Sequence, residues 1–274
     1  MASPSGSART LIADAEKLLH ELAEDLRPEL LERTGTTATT MKGDGTPVTD
    51  VDVEVNERIA EAILDRFPGH AVLSEELDTS YAGAEWTWIV DPIDGTSNFT
   101  TGVPYWCVSV ALALEGEPVL GFVDAPPLGA RFVAVVGEGA TKDGAAIRVR
   151  PPVDFDDPGN RHVPLLLTTV AARRARPRVR LKPRVLGSAA LDLCLVAQGV
   201  AAASLSLRPK VWDHAAGRLL VTEAGGAYVT VDGDPLLPLQ PGLEYAGRSA
   251  VGGAGPSAEY VRGLAERLGV DGIR

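Results

Sequence analysis

The chain has 274 residues, 45% of them hydrophobic and 23% charged, which is ordinary for a soluble globular protein with a large core. Its formal net charge of −11 argues against nucleic-acid backbones and anionic membranes as main partners. The four histidines show no paired spacing with cysteine, so the sequence carries no zinc signature.

The first ten residues are small and polar, without the apolar core of a signal peptide. No apolar run is long enough to span a bilayer. Cys107 and Cys194 lie in apolar runs, which is typical of buried reduced thiols rather than of a disulfide framework. We therefore expect a cytoplasmic protein that does not bind membranes.

Apolar residues recur at helical spacing over 11–31, and charged residues occupy the opposite face. This pattern predicts an amphipathic helix that packs on the core or on a partner. Pro28 predicts a kink or an end near Arg27, because proline lacks an amide donor and clashes with the preceding turn.

Glycine and proline make 42–47 a loop, and Thr49 or Asp50 can cap a helix that runs to about residue 66. Asp52 falls in the first turn of that helix, where a carboxylate also interacts favourably with the helix dipole. Lys42 is either a solvated surface lysine or a ligand-binding residue, and its position in a loop favours neither.

Two apolar runs end in acidic residues, which suggests a metal site. The run 71–73 precedes Ser74, Glu75 and Glu76, and the run 86–90 precedes Asp91 and Asp94. Neighbouring carboxylates repel and raise each other's pKa, and a divalent cation removes that cost. Hard oxygen ligands suit Mg²⁺ or Mn²⁺ rather than Zn²⁺. For Asp-x-x-Asp alone, an ordinary turn after a strand is the alternative.

The sequence Gly95-Thr96-Ser97 predicts a turn that leads into a helix, whose first amides would face an anion such as phosphate. Three apolar segments, 106–113, 118–124 and 130–136, then follow with glycine and proline between them. They predict antiparallel strands with hairpin connections. We place a boundary between two lobes near residue 150, which divides the chain into 1–150 and 151–274.

The second lobe begins with a strand at 165–168 and a basic cluster that extends from Arg173 to Arg184. Most such clusters are solvated surface, and the alternative is an anion contact for a bulky or doubly phosphorylated substrate. A helix follows Ser188 and ends at Gly199. Asp213 begins a later helix, where a plain N-cap is the simplest interpretation.

The segment Asp91-Pro92-Ile93-Asp94-Gly95-Thr96-Ser97-Asn98-Phe99 resembles the signature of the inositol monophosphatase family, Mg²⁺-dependent phosphomonoesterases related to fructose-1,6-bisphosphatase. Further resemblances follow the chain order of that family: Val-Thr-x-x-Asp at 48–52, Ser-Glu-Glu at 74–76, Gly-Ser-Ala-Ala at 187–190 and Trp-Asp-x-Ala-Ala-Gly at 212–217. The resemblance implies a mixed α/β and α+β fold, the layered αβαβα sandwich of the sugar phosphatase superfamily, with the site between the lobes.

The resemblance also implies roles for individual residues. The implied metal ligands are Glu75, Asp91, the Ile93 carbonyl, Asp94 and Asp213. Asp52 and Thr96 would orient and deprotonate the attacking water, and Glu75 would take part in catalysis through the metal. Phosphate and substrate contacts would come from Gly95, Thr96, Ser188 and Lys42. Two or three Mg²⁺ ions per site are expected, with Mn²⁺ as an alternative.

The expected activity is hydrolysis of a small polyol or sugar monophosphate such as inositol 1-phosphate, by a homodimer. Inositol-specific members carry an acid shortly before the Trp-Asp motif, and Ser206 takes that place here. Histidinol phosphate, a nucleotide or other bisphosphate, and a specialised metabolite are therefore alternatives. A catalytically silent binding or regulatory homologue is the non-enzyme alternative, which the presence of all five acids and Thr96 disfavours.

Overall fold

The computed structural model describes residues 5–38, 40–41, 47–175, 179–233, 236–245 and 250–270. Lys42 lies outside these residues, as do Arg176 and Arg178 of the basic cluster.

Seven helices lie in the described residues: α1 (Gly6–Arg33), α2 (Asp50–Arg66), α3 (Thr96–Thr101), α4 (Thr169–Arg174), α5 (Ala189–Ala197), α6 (Val211–Glu223) and α7 (Ala258–Leu268). Two short 3₁₀ turns occur at Pro126–Leu128 and Pro158–His162.

The strands are β1 (Thr40–Met41), β2 (Pro47–Val48), β3 (Ala71–Ser74), β4 (Ser80–Tyr81), β5 (Trp86–Asp94), β6 (Cys107–Leu114), β7 (Glu117–Ala125), β8 (Ala130–Val135), β9 (Gly139–Lys142), β10 (Ala145–Ala146), β11 (Pro164–Leu167), β12 (Lys182–Arg184), β13 (Ala203–Leu207), β14 (Ala227–Gly233), β15 (Leu243–Glu244) and β16 (Ala250–Gly255).

These strands form two main sheets. The first has seven strands in the order β10-β9-β8-β7-β6-β5-β3, antiparallel except for the β3–β5 pair. The second has five strands in the order β12-β11-β13-β16-β14, and its β12, β11 and β13 are parallel. The antiparallel run predicted for 106–136 is confirmed.

The helices cover the sheets in layers. Helices α1 and α2 bury their apolar stripes on one face of the seven-stranded sheet. Helices α5 and α6 fill the space between the two sheets, and α4 and α7 cover the outer face of the five-stranded sheet. The expected five-layer αβαβα sandwich is confirmed. The predicted division near residue 150 falls between β10 and β11, and a two-lobed organisation stays a prediction.

Helix α1 does not end at Pro28 and continues to Arg33. Of the two predicted outcomes, the end is therefore wrong, and a kink stays a prediction. Leu26 and Leu30 lie on either side of the proline and are 2% and 1% exposed. Burial of each leucine contributes about 1.5–3 kcal/mol, which offsets a proline cost of about 3 kcal/mol. No helix in the described part of the chain has the length and apolar character needed to cross a membrane.

Helix α6 approaches the seven-stranded sheet over a row of small residues. Ala111, Gly121 and Ala134 lie side by side on β6, β7 and β8. A Cβ atom added to Gly121 would lie 2.8 Å from the Ala216 carbonyl oxygen and 3.2 Å from its Cα. Glycine at 121 therefore allows the helix backbone to touch the strand.

The Gly121→Ala substitution tests this contact. We expect it to lower the free energy of unfolding by about 1–3 kcal/mol, because the added methyl group overpacks a backbone contact that cannot move freely. Urea unfolding measures the change. Gly263→Ala in α7 is the matched control, since nothing lies within 4 Å of its added Cβ, and it should stabilise the protein by about 0.5–1 kcal/mol. An unchanged urea midpoint for Gly121→Ala would contradict the close approach.

Candidate metal centre and active site

The end of β5 carries two aspartates on one face of the sheet because the strand has a bulge. Asp91 lies opposite Ser109 of β6 and Asp94 lies opposite Cys107, so three steps along β5 match two steps along β6. Residues three apart on a regular strand face opposite sides, and one extra residue brings them to the same side. Pro92, which lacks an amide donor, lies within this interruption of the ladder.

Asp213 completes an acidic cluster from the other half of the chain. Lys210 is the N-cap of α6, so the simple N-cap interpretation of Asp213 is wrong, and Asp213 is the third helical residue. One carboxylate oxygen from each of Asp91, Asp94 and Asp213 lies within 4.8 Å of the others. Asp91 and Asp94 are buried, and Asp213 is half-buried.

Burial and mutual repulsion raise the pKa of these three carboxyl groups. The pKa of Asp94 rises from 3.8 to about 6, mainly through burial. Asp91 and Asp213 have pKa values well above the usual range, first through burial and then through the neighbouring carboxylates. The three carboxyl groups resist ionisation in the absence of a cation. Their crowded oxygen atoms are ligands of the kind that a hard divalent ion binds.

Glu75 follows β3, and the parallel pairing of β3 with β5 brings its backbone next to the strand that carries Asp91. Ser74 lies opposite Val90, and the next amide, that of Glu75, donates to the Val90 carbonyl oxygen at 3.3 Å. The charge of Glu75 contributes to the raised pKa of Asp91 and of Asp213. The two acidic strand ends identified in the sequence therefore meet at one place.

Asp52 uses its two carboxylate oxygens for different purposes. Its Oδ2 accepts hydrogen bonds from the Thr49 amide at 2.8 Å and the Thr49 hydroxyl at 2.5 Å, which forms a capping box at the start of α2. Its Oδ1 accepts from the Thr96 hydroxyl at 3.2 Å. The same hydroxyl lies 3.0 Å from the Ile93 carbonyl oxygen. Asp52 therefore caps a helix and also faces Thr96.

Ser188 lies at the cluster, but its hydroxyl is used for Asp94. The Ser188 Oγ donates to Asp94 Oδ2 at 2.5 Å, and the Ala190 amide donates to the same oxygen at 2.7 Å. The Ala189 amide donates to Asp94 Oδ1 at 3.2 Å. The N-terminus of α5 thus holds an aspartate of the protein, and a contact of Ser188 with substrate stays a prediction.

Gly95 turns the chain from β5 into α3 with a left-handed φ of +98°. A Cβ atom there would lie 3.2 Å from the carbonyl oxygens of Gly187 and Tyr105, so the position excludes other residues both by conformation and by space.

Asn98 and Asp192 have structural roles that sequence reasoning missed. The Asn98 Nδ2 donates to the Tyr105 carbonyl at 2.7 Å and to the Leu186 carbonyl at 2.8 Å, which ties α3 to the segment that enters α5. Asp192 in α5 is buried and accepts from the Tyr105 hydroxyl at 3.0 Å. The asparagine in the 91–99 motif was a signal for the first role; nothing local indicated the second.

Comparison with known proteins agrees with this geometry. The profile of the inositol monophosphatase family matches residues 8–261. The chain belongs to the inositol monophosphatase family.

Several proteins of known sequence or structure are similar to the chain. The fructose-1,6-bisphosphatase/inositol-1-monophosphatase of Aquifex aeolicus is 34% identical over 205 residues, covering 71% of this chain and 75% of that protein. The histidinol-phosphatase of Mycobacterium tuberculosis is 37% identical over 207 residues, covering 70% and 77%. The solved structure of a Thermotoga maritima IMPase matches with a TM-score of 0.76 at 28% identity, covering 94% of this chain and 96% of that one.

Family membership confirms the resemblance inferred from the 91–99 motif and identifies the protein as a phosphoric monoester hydrolase of the inositol monophosphatase type. The family is Mg²⁺-dependent, and the buried aspartate cluster supplies oxygen donors of the kind that Mg²⁺ requires.

The raised pKa of Asp94 predicts how stability depends on pH without metal. Between its ordinary pKa of 3.8 and about 6, the folded state binds more protons than the unfolded chain, so stability falls as pH rises. In chelator, we expect Asp94→Asn to reduce that loss by up to about 3 kcal/mol, measured by urea unfolding from about pH 4 to about pH 7.

Asp50→Asn is the control for this series, because Asp50 is exposed at the start of α2 and pairs with Arg33 at 2.8 Å. Added Mg²⁺ should raise the free energy of unfolding of the wild type at neutral pH. The expected gain is about 2.7 kcal/mol when the Mg²⁺ concentration is one hundred times the dissociation constant. A wild-type stability that is independent of Mg²⁺ would argue against a metal in this cluster.

Proposed function

We propose that the protein is a Mg²⁺-dependent phosphomonoesterase that hydrolyses a small polyol or sugar phosphate, with inositol 1-phosphate as the reference substrate. The observation that carries the proposal is the convergence of Asp91, Asp94 and Asp213 beside the Asp52–Thr96 pair. A metal-binding cluster next to a proton acceptor is the minimum that hydrolysis by water requires.

Glu75, Asp91, the Ile93 carbonyl, Asp94 and Asp213 would hold two or three Mg²⁺ ions, with Mn²⁺ as a substitute. When bound, these ions supply charge that polarises the phosphate and favours ionisation of water at neutral pH. The hydrogen bonds from Ser188, Ala189 and Ala190 fix the orientation of Asp94, so this ligand is positioned before any ion binds.

Thr96 and Asp52 would accept the proton that the attacking water loses. The Thr96 hydroxyl donates toward Asp52, so it can pass its proton to Oδ1 while it accepts one from water. The water oxygen forms a bond to phosphorus, the ester P–O bond breaks, and solvent protonates the leaving alkoxide. The Gly95 and Thr96 amides, at the turn into α3, would hold phosphate oxygens. Lys42 would also bind phosphate.

Histidinol-phosphate hydrolysis is a second candidate. The inositol-recognising acid expected before Trp212 is replaced by Ser206, a buried residue of β13. The similar Mycobacterium tuberculosis protein is a histidinol-phosphatase.

The same proposal includes a small phosphorylated metabolite as partner, a homodimer and a cytoplasmic location. A sizing column with light scattering tests the dimer.

Phosphate release from a substrate panel tests the chemistry. The panel contains inositol 1-phosphate, histidinol phosphate and sugar phosphates, each assayed with Mg²⁺ and with chelator. We expect release that requires Mg²⁺, and an Asp213→Asn variant that is at least about a hundredfold slower because a ligand of the cluster has lost its charge. Release that survives both chelator and Asp213→Asn would rule out the metal mechanism.

Asp52→Asn tests the proton acceptor separately from metal binding. We expect kcat to fall by about 10²–10⁴ with little change in KM, because the carboxylate would act in the transition state rather than in substrate binding. Asp50→Asn, two residues earlier on the same helix, is the matched control and should keep wild-type kinetics. Equal kinetics for the two variants would remove Asp52 from the mechanism.

A further inference from the structure

His214 is a polar residue in the central layer of the fold, next to Asp213 of the acidic cluster. It is the fourth residue of α6 and is 2% exposed. Its Nδ1 lies 2.9 Å from the hydroxyl oxygen of Tyr228 on β14. Its Nε2 is buried and has no hydrogen-bond partner among the described residues. Because an unpaired buried polar atom lowers stability, packing alone does not account for a histidine at this position.

The five-stranded sheet leaves a fitted space for the Tyr228 side chain. Tyr228 packs against the core of the central layer, whereas the next residue, Val229, packs in the outer core. A Cβ atom on Gly252 of the neighbouring strand β16 would overlap the Tyr228 hydroxyl and would lie 3.1 Å from its Cζ. The rings of Tyr228 and His214 meet edge to face, with their centroids 5.5 Å apart. The sheet therefore presents the phenol to His214 in a defined position.

Asp213 and His214 face different sheets, because successive residues of a helix are turned by about 100°. Asp213 shares a helix face with Ala216, three residues further on. Ala216 contacts the seven-stranded sheet at Gly121, and that sheet carries the other two aspartates of the cluster. His214 instead reaches β14 of the five-stranded sheet. Its hydrogen bond thus ties the first turn of α6 to the second sheet.

Small residues after His214 leave the rotation of α6 weakly fixed by packing. They are Ala215, Ala216 and Gly217. A Cβ atom on Gly217 would lie 2.6 Å from the Cβ of Leu193 on α5, so the two helices meet there over bare backbone. Flat contacts of this kind have few side-chain ridges that interdigitate and set the orientation of a helix. A hydrogen bond depends on direction as well as distance, and it supplies that constraint.

The carboxylate of Asp213 moves with the first turn of α6. Burial raises the pKa of Asp213, and a hydrogen bond from the backbone of Lys210, the N-cap residue, opposes that rise. Side-chain atoms lie about 5–6 Å from a helix axis, so a rotation of about 10° displaces them by about 1 Å. Metal–ligand distances tolerate only about 0.2 Å. The affinity of the cluster for a cation is therefore sensitive to the rotation of α6.

We propose that His214 and Tyr228 are positioning residues whose hydrogen bond fixes the rotation of the first turn of α6. They thereby set the affinity of the cluster of Asp91, Asp94 and Asp213 for Mg²⁺, although neither of them binds the ion. Outer partners of metal ligands typically change metal affinity by about 10- to 100-fold. This inference rests on the proposed function, in which the cluster holds the metal.

Tyr228→Phe tests the hydrogen bond with the smallest change of shape. We expect the dissociation constant for Mg²⁺, measured by calorimetric titration of the folded protein at neutral pH, to rise by about 10- to 100-fold. Val221→Ala is the control for lost stability, because Val221 is buried about two turns further along α6. Its urea midpoint should fall while its Mg²⁺ affinity stays that of the wild type. An unchanged Mg²⁺ affinity in Tyr228→Phe would overturn the proposal.

A double variant separates positioning from a purely structural role. Tyr228→Phe/His214→Leu replaces both polar partners by apolar side chains, so neither partner is left buried and unpaired. Its urea midpoint should equal or exceed that of Tyr228→Phe, while its Mg²⁺ affinity should stay as low. Recovery of wild-type affinity in the double variant would overturn the proposal, because stability alone would then explain the loss. His214→Asn, whose side-chain amide can take the place of Nδ1, should keep most of the wild-type affinity.

Phosphate release, measured beside Mg²⁺ binding, distinguishes failure of this inference from failure of the proposed function. In Tyr228→Phe the Mg²⁺ concentration that gives half the maximal rate should rise, while the KM for substrate at saturating Mg²⁺ stays close to that of the wild type. If the wild type binds Mg²⁺ but releases no phosphate from any ester, the phosphatase proposal fails, and weaker binding by Tyr228→Phe still supports positioning. If the wild type releases phosphate and every variant binds Mg²⁺ equally well, only this inference fails. A wild type that binds no Mg²⁺ would overturn both.

Discussion

The repulsion among Asp91, Asp94 and Asp213 is the constraint on which the rest of the site depends. Their oxygens lie within 4.8 Å of one another in a largely buried place. Carboxylates at that separation ionise together only if a cation or hydrogen bonds compensate them. The fold supplies hydrogen bonds for Asp94 from the N-terminus of α5. Under the proposed function, bound Mg²⁺ would compensate the remaining charge.

The layered architecture is the means by which these acids meet. Asp91 and Asp94 come from the seven-stranded sheet, and Asp213 comes from α6, which lies between the sheets. The small residues Ala111, Gly121 and Ala134 let α6 pack closely on that sheet. This packing therefore sets the position of Asp213, which the proposed function makes a metal ligand.

The proposed reaction is assigned to one part of the site. The metal cluster and the Asp52–Thr96 pair would act on the phosphate ester and on water, whatever the leaving group is. Ser206 lies in β13, and the segment after this strand leads through Arg208, whose φ is +58°, into α6 and Asp213.

The sequence alone determined the elements and the candidate acids. The strand that precedes Glu75 and the strand that carries Asp91 were predictable because apolar runs followed by carboxylates are local patterns. A helix cap at Thr49 or Asp50 was predictable for the same reason, and the structure places it at Thr49. The resemblance of 91–99 to a known family then supplied the topology, which no spacing within this chain encodes.

Only the tertiary structure decided the features that depend on distant residues. Helix α1 continues through Pro28 because buried leucines on both sides outweigh the local penalty. Ser188 turns toward Asp94, and Asp192 is buried against Tyr105, because partners about ninety residues away in the chain lie next to them. The sequence shows which side chains are able to bind a metal. Their hydrogen-bond partners depend on long-range packing, which only the tertiary structure shows.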